Sequence, residues 1–139
     1  MKIRTFQASD EAAVIALWQA CDLTRSWNDP HKDIARKLSV GRDLFVVGMQ
    51  GNELIASAMF GYEGHRGWVN YLAVSPAHQR RGHASSLMQW GEKALQQRGC
   101  PKINLQVRSK NAAVIAFYKS LGYGDDEVIG LGKRLIPDV

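Results

Sequence analysis

The run Tyr71-Leu72-Ala73-Val74-Ser75-Pro76-Ala77-His78-Gln79-Arg80-Arg81-Gly82-His83-Ala84 carries more of the fold than any other part of this chain. Its apolar start reads as a strand, Ser75-Pro76 as a turn, and Gln79 to Gly82 as a basic loop that opens a helix. A helix start leaves backbone N–H groups without intrahelical partners, and here two arginines stand beside them. Strand, turn, glycine-marked basic loop and helix, in that order, predict a phosphate cradle at a strand end.

The helix expected from Gly82 carries Ala84, Leu87, Met88, Gly91, Ala94 and Leu95 on one face, and Gly99 with Pro101 stops it. Residues 102–108 alternate, Ile103, Leu105 and Val107 against Asn104, Gln106 and Arg108, as a strand with one apolar face does. Residues 68–108 thus predict a right-handed parallel strand–helix–strand crossover. Asn111 begins another helix, with Val114, Phe117, Tyr118 and Leu121 on one face and Gly122 at its end. Residues 128–136 are expected as a final strand, weakened by Gly130 and Gly132.

Before the cradle, Ile3 to Phe6 reads as a first strand. Ser9 and Asp10 offer a cap to a helix bearing Val14, Leu17, Trp18 and Cys21. Asp29-Pro30 is a cap followed by a proline at the first helical position, and that helix ends near Gly41. Leu44 to Val47 and Leu54 to Phe60 form a hairpin across Gln50-Gly51-Asn52. A glycine-rich, charged connection, residues 61–67, leads into the strand at Trp68. The order predicts a mixed α/β (α+β) fold in one domain spanning residues 1–139.

Composition narrows the partners. With 139 residues the chain holds one core, and 18 basic against 13 acidic residues leave it at +5, which favours anionic partners. Nucleic acid is not expected: no binding motif is present, and aromatics do not interleave the basic residues as stacking platforms. No apolar run is long enough for a bilayer, and the N-terminus alternates like a strand rather than carrying a signal sequence. The expectation is a chain that starts at Met1, stays in the cytoplasm and has no membrane partner. Cys21 and Cys100 lack metal-type spacing, so neither a metal nor a disulfide is expected.

Loop 79–84 lacks GxxxxGK[ST] and GxGxxG, which disfavours ATP and NAD. Leu72-x-Val74-x-Pro76 with Gln79-Arg80-Arg81-Gly82-x-Ala84 instead resembles motif A of the GCN5-related N-acetyltransferases, although many relatives carry glycine where Ala84 stands. Residues 111–123 resemble their motif B, in the right order and at the right distance. Gly64-His65-Arg66-Gly67-Trp68 and residues 100–108 are similar to a bacterial YpeA-like subgroup.

That resemblance implies a mostly antiparallel mixed sheet flanked by helices, splayed at a pair of parallel strands, and a cleft for acetyl-coenzyme A. It implies that Leu72, Ala73 and Val74 offer backbone to the pantetheine arm. Gln79, Arg80, Arg81, Gly82, His83, Ala84 and Ser85 would hold the pyrophosphate, and Asn111 would reach the cofactor from the second helix start. It implies that Tyr118 gives a proton to the leaving thiolate, although the apolar stripe it shares with Phe117 and Leu121 also suits core packing. Relatives often place a glutamate where Asn70 stands; asparagine cannot act as a base, which leaves Glu63, then His65, or water past Asn70 and Tyr71. Arg108, Lys110 and Lys119 read as solvated surface. The implied activity is transfer of acetyl from acetyl-coenzyme A to a primary amine, without metal. The alternative is a non-catalytic acyl-coenzyme A sensor. The acceptor, small molecule or protein amine, is expected to meet residues 23–31, residues 61–67 and the C-terminal strand, with Trp27, His31 and Trp68 as candidate lining. Family habit also allows a homodimer.

Overall fold

The computed structural model describes residues 1–139. Its strands are β1 (Lys2–Thr5), β2 (Phe45–Gln50), β3 (Glu53–Tyr62), β4 (Gly67–Val74) and β5 (Ile103–Asn104); its helices are α1 (Glu11–Ala20), α2 (Pro30–Val40), α3 (His83–Gln97) and α4 (Ala112–Ser120). They form one sheet in the order β1-β2-β3-β4-β5. Neighbours are antiparallel except β4 and β5, which run parallel through the α3 crossover.

Local chemistry accounts for most boundaries. Asp29 caps α2 by accepting the N–H groups of His31 and Lys32, with Pro30 in the first turn, as its sequence predicts. Asn111 caps α4 by accepting from Val114 N–H at 3.3 Å. Strand alternation then sorts side chains to two cores. Val46, Ile55 and Phe60 join Leu87, Met88 and Leu95 of α3 on one face. Phe45 and Val47 join Val14 and Trp18 of α1 and Ile34 of α2 on the other. The α3 helix lies so close to β3 that a Cβ at Gly91 would collide with the Phe60 ring.

β4 is not a regular strand. Met59 pairs with Asn70 and Ser57 with Ala73, so Ala58 faces both Tyr71 and Leu72. This is a β-bulge, with Tyr71 at φ +53 in the left-handed region. Before it Val69 points to the α3 core; beyond it Leu72 and Val74 do, while Tyr71 and Ala73 join the α1 core. Tyr71 stacks on Trp18 with ring centroids 3.8 Å apart, and Trp18 Nε1 donates to Ser57 Oγ at 2.9 Å.

Two expectations are corrected. The strand expected over 102–108 pairs only at Ile103 and Asn104, because beyond them it diverges from β4. The final strand expected over 128–136 does not form: this stretch joins no sheet, and Val128, Ile129, Leu131, Leu135 and Ile136 are exposed. Its apolar residues mimic a strand, but hydrogen bonding needs an edge that the chain does not bring there. Side chains hold the tail instead. Lys102 pairs with Asp126 at 2.8 Å, and Asp138 is buried against α2.

Candidate active site: a splayed strand edge and a helix start

β4 and β5 pair only at Gly67–Ile103 and Trp68–Asn104, so the rest of that β4 edge is open. Ser75 donates its N–H to Ile55 at 2.7 Å; alternation therefore turns residues 73 and 75 toward β3, and Leu72 and Val74 toward the opening. The Val74 carbonyl is not free: it accepts from Gln79 Nε2 at 3.0 Å and from Cys21 Sγ at 3.2 Å. Gln79 thus ties the loop back to the strand end.

The loop is strained and open. Arg80 sits at φ +64 and Gly82 at φ +83. Left-handed backbone costs a side-chain-bearing residue about 1–2 kcal/mol, which explains glycine at position 82. A Cβ there would meet nothing within 4 Å, so the glycine is required by conformation rather than by protein crowding. Gly82 has no side chain to cap α3, and Ser86 N–H is the first to turn back, to the Gly82 carbonyl at 3.0 Å. The backbone N–H groups of residues 79–85 donate to no protein acceptor. They gather at a helix start, where the dipole favours an anion. Arg80 and Arg81 are exposed and bridge to no carboxylate. Partial burial holds His83 below the ordinary imidazole range, with the N-terminal amine, His78 and Arg81 adding to it.

Tyr118 is buried in the α3 core and sits edge-on to Tyr123 with centroids 5.7 Å apart. Leu72, Leu105 and Val107 pack around the same core. Burial pushes its phenol up to about 12, so the group keeps its proton at any physiological pH. Its hydroxyl donates to no protein acceptor, unlike that of Tyr123, which donates to Glu92 at 2.6 Å. Tyr118 is therefore a core residue whose hydroxyl is an unspent donor. Asn111 spends Oδ1 on its cap and leaves Nδ2 unspent.

The acceptor side is less tidy. Asn70, Glu63 and Trp68 line a cavity of about 250 Å³ together with Lys37. Glu63 precedes β4, and four residues of that strand, roughly 15 Å of chain at the usual rise, lie between Gly67 and Leu72. One Glu63 carboxylate oxygen, Oε1, accepts the N–H groups of His65 and Arg66, holding the turn. His31 pairs with Glu11 at 2.8 Å and lines neither this cavity nor the larger one described next. Arg108, Lys110 and Lys119 are exposed, as expected.

Sequence reading misses one cluster entirely. Tyr71 donates its hydroxyl to Asp33 at 2.6 Å and accepts from Asn28 at 3.0 Å. The phenol is pushed up by burial and by the Asp33 carboxylate. Arg36 bridges Asp33 at 3.1 Å and Asp138 at 2.6 Å, and Asp29 N–H donates to Asp138 at 2.7 Å. These donors hold the Asp138 carboxyl down at about 2. Beside the cluster is a cavity of about 610 Å³ lined by Trp27, Asn28, Arg36 and residues 132–136. The only sequence signal was indirect: residues 23–31 and the chain end were both expected on this side.

Over residues 12–123 the chain matches the acetyltransferase (GNAT) family. An acetyltransferase of Pectobacterium atrosepticum is 51% identical over 138 residues, covering 99% of this chain and 98% of its own length. The ribosomal-protein-S18-alanine N-acetyltransferase of Escherichia coli has a similar structure, with a TM-score of 0.72 at 25% identity over 87% of this chain and 76% of its own. A Clostridium acetobutylicum structure described as a predicted acetyltransferase with acetyl-CoA gives a TM-score of 0.71 at 18% identity, covering 94% of this chain and 95% of its own. No helix here is long and apolar enough to cross a membrane.

Proposed function

This chain belongs to the GNAT family of acetyltransferases, and from that premise we propose that it moves acetyl from acetyl-coenzyme A to the nitrogen of a primary amine. It does so as a single domain over residues 1–139, in the cytoplasm. The observation that carries this reading is the set of unspent N–H groups at residues 79–85 beside an open strand edge. Such a pair suits a phosphate followed by an amide-bearing arm.

Backbone N–H groups of Arg81, Gly82, His83, Ala84 and Ser85 hold the pyrophosphate, with the Arg80 and Arg81 side chains adding charge. Gln79 keeps the loop against Val74. Leu72, Ala73 and Val74 present the strand edge; the Leu72 groups and the Val74 N–H bond the pantetheine arm. Asn111 Nδ2 closes on the arm from α4.

The amine attacks the thioester carbonyl, forming a C–N bond as the C–S bond breaks. Tyr118 gives its proton to the sulfur, which leaves as a thiol. A phenol held at about 12 keeps its proton until the sulfur leaves and donates a hydrogen bond to it throughout. The amine proton goes to Glu63, by way of water in the cavity shared with Asn70, since the separation forbids direct transfer. Glu63→Gln leaving turnover unchanged would remove Glu63 from the mechanism.

A second reading, an acyl-coenzyme A sensor without turnover, rests on Asn70, which offers no carboxylate beside the cleft. Release of free thiol in the presence of an amine panel separates the two. For the shared donor site, acetyl-coenzyme A raises the melting temperature while NAD and ATP do not; no shift at millimolar acetyl-coenzyme A overturns both.

A further inference from the structure

A cavity outside the donor cleft, beside the Tyr71–Asp33 cluster, has a definite electrical character. Trp27, Asn28, Arg36, Lys133 and Arg134 all line it, so three cations face it and no lining residue is acidic. Its volume, about 610 Å³, is that of a small-molecule site. The carboxylates of this region are already committed. Asp138 has no side-chain exposure and bridges Arg36, while Asp33 is mostly covered and bonded to Tyr71 and Arg36. Lys133 bridges to no carboxylate. Arg134 lends one amino group to Asn28 Oδ1 at 2.8 Å, and like Arg36 keeps further N–H donors. Trp27 is 54% exposed at the same opening, an apolar plane with nothing packed over it.

The cavity is joined to the reaction site through Asn28. Its Nδ2 donates to the Tyr71 hydroxyl, and Tyr71 is the bulge residue next to Leu72. An occupant of this cavity is therefore one side chain away from the strand whose edge takes the pantetheine arm in the reading above, on which this step rests.

We infer that the cavity selects an amine acceptor carrying its own anionic group, a carboxylate or phosphate, with Lys133, Arg134 and Arg36 around the anion and Trp27 against the acceptor's apolar body. Small amino acids and phosphorylated amines share that chemistry; polyamines and lysine-rich protein tails are disfavoured by like charge.

Matched pairs test this. Tyrosine against tyramine varies only the carboxylate, and phosphoethanolamine against ethanolamine only the phosphate. Turnover is read as thiol release from acetyl-coenzyme A. Binding is read separately by tryptophan fluorescence, with Trp27→Phe identifying the reporting residue. The acid-bearing member of at least one pair is expected to have kcat/KM and affinity higher by about tenfold, the scale of one charge-assisted hydrogen bond. Lys133→Glu should abolish that preference while leaving the acetyl-coenzyme A melting shift intact. Equal or better use of tyramine and ethanolamine, or a preference that survives Lys133→Glu, overturns the inference. If no amine is turned over, the fluorescence titrations decide it: no acid-selective binding at millimolar ligand overturns it. Loss of the acetyl-coenzyme A shift in the wild type would instead strike the acetyl-transfer reading.

Discussion

The loop at residues 79–82 with the first turn of α3, and the tail at residues 124–139, hold their polar groups in opposite ways. The loop leaves its backbone N–H groups unspent and fixes them with strained φ angles at Arg80 and Gly82. The tail is held by ion pairs of two of its acids, Asp126 to Lys102 and Asp138 to Arg36. Backbone donors at a helix start suit a ligand part that never varies, whatever the side chains around them. Side-chain pairs suit the variable partner, because a single substitution redraws them.

The sharpest way to break this division is at Tyr118, which serves the donor side only. Tyr118→Phe should lower kcat about a hundredfold or more, the scale of a positioned proton donor, while the acetyl-coenzyme A melting shift is kept. A phenol with its pKa raised to about 12 is neutral below that pH and loses its proton only as pH rises through it. An alkaline fall in kcat well below pH 12 therefore belongs to another group, and the same fall should appear in Tyr118→Phe with its residual activity. Next in size is Gly82→Ala, which forces a Cβ into φ +83. At about 1–2 kcal/mol, acetyl-coenzyme A should bind roughly tenfold more weakly by calorimetry, with acceptor KM unmoved.

Asp138→Asn tests the other region. It should raise acceptor KM severalfold and expose the tail to protease, leaving acetyl-coenzyme A affinity unchanged; a donor-side defect would show that the two regions are coupled. The acid limb follows from the depressed carboxyl. Arg36 and the Asp29 N–H lower it to about 2, so the tail's docking is complete above the ordinary carboxylate range and lost as pH falls from about 4 toward 2. Pepsin cutting near Leu131 and Leu135 across that range measures it. The smallest effect is Asn111→Ala, which removes the α4 cap at a cost of about 1 kcal/mol, seen as a lower melting temperature.

What was legible in the sequence follows the range of the interactions. Asp29-Pro30, Gln50-Gly51-Asn52, Gly82 and Asn111 state their roles locally, through caps and turns, and the cradle could be read from them. Residues 128–136 could not, because alternation and apolar content specify a strand only when an edge waits for it. The Tyr71 hydroxyl cluster was hidden for the same reason: its partners, Asn28 and Asp33, are some forty residues away in the chain. Nor did the bulge announce itself, since the left-handed position that glycine usually marks is filled by a tyrosine held by Trp18.

That tyrosine has a consequence for how this strand can change length. β4 has eight residues, and Tyr71 shares with Leu72 the single facing residue Ala58. A gene that lost this one codon would still encode a strand in which Asn70 faces Met59, Leu72 faces Ala58 and Ala73 faces Ser57, every core residue on its present side. Loss of any other codon between Trp68 and Ala73 would have to consume the bulge or turn the remaining side chains inside out. A gap inside a buried strand, which ordinarily signals a broken alignment, would here mark a variant whose strand keeps its register while the Tyr71 contacts to Trp18 and Asp33 are gone.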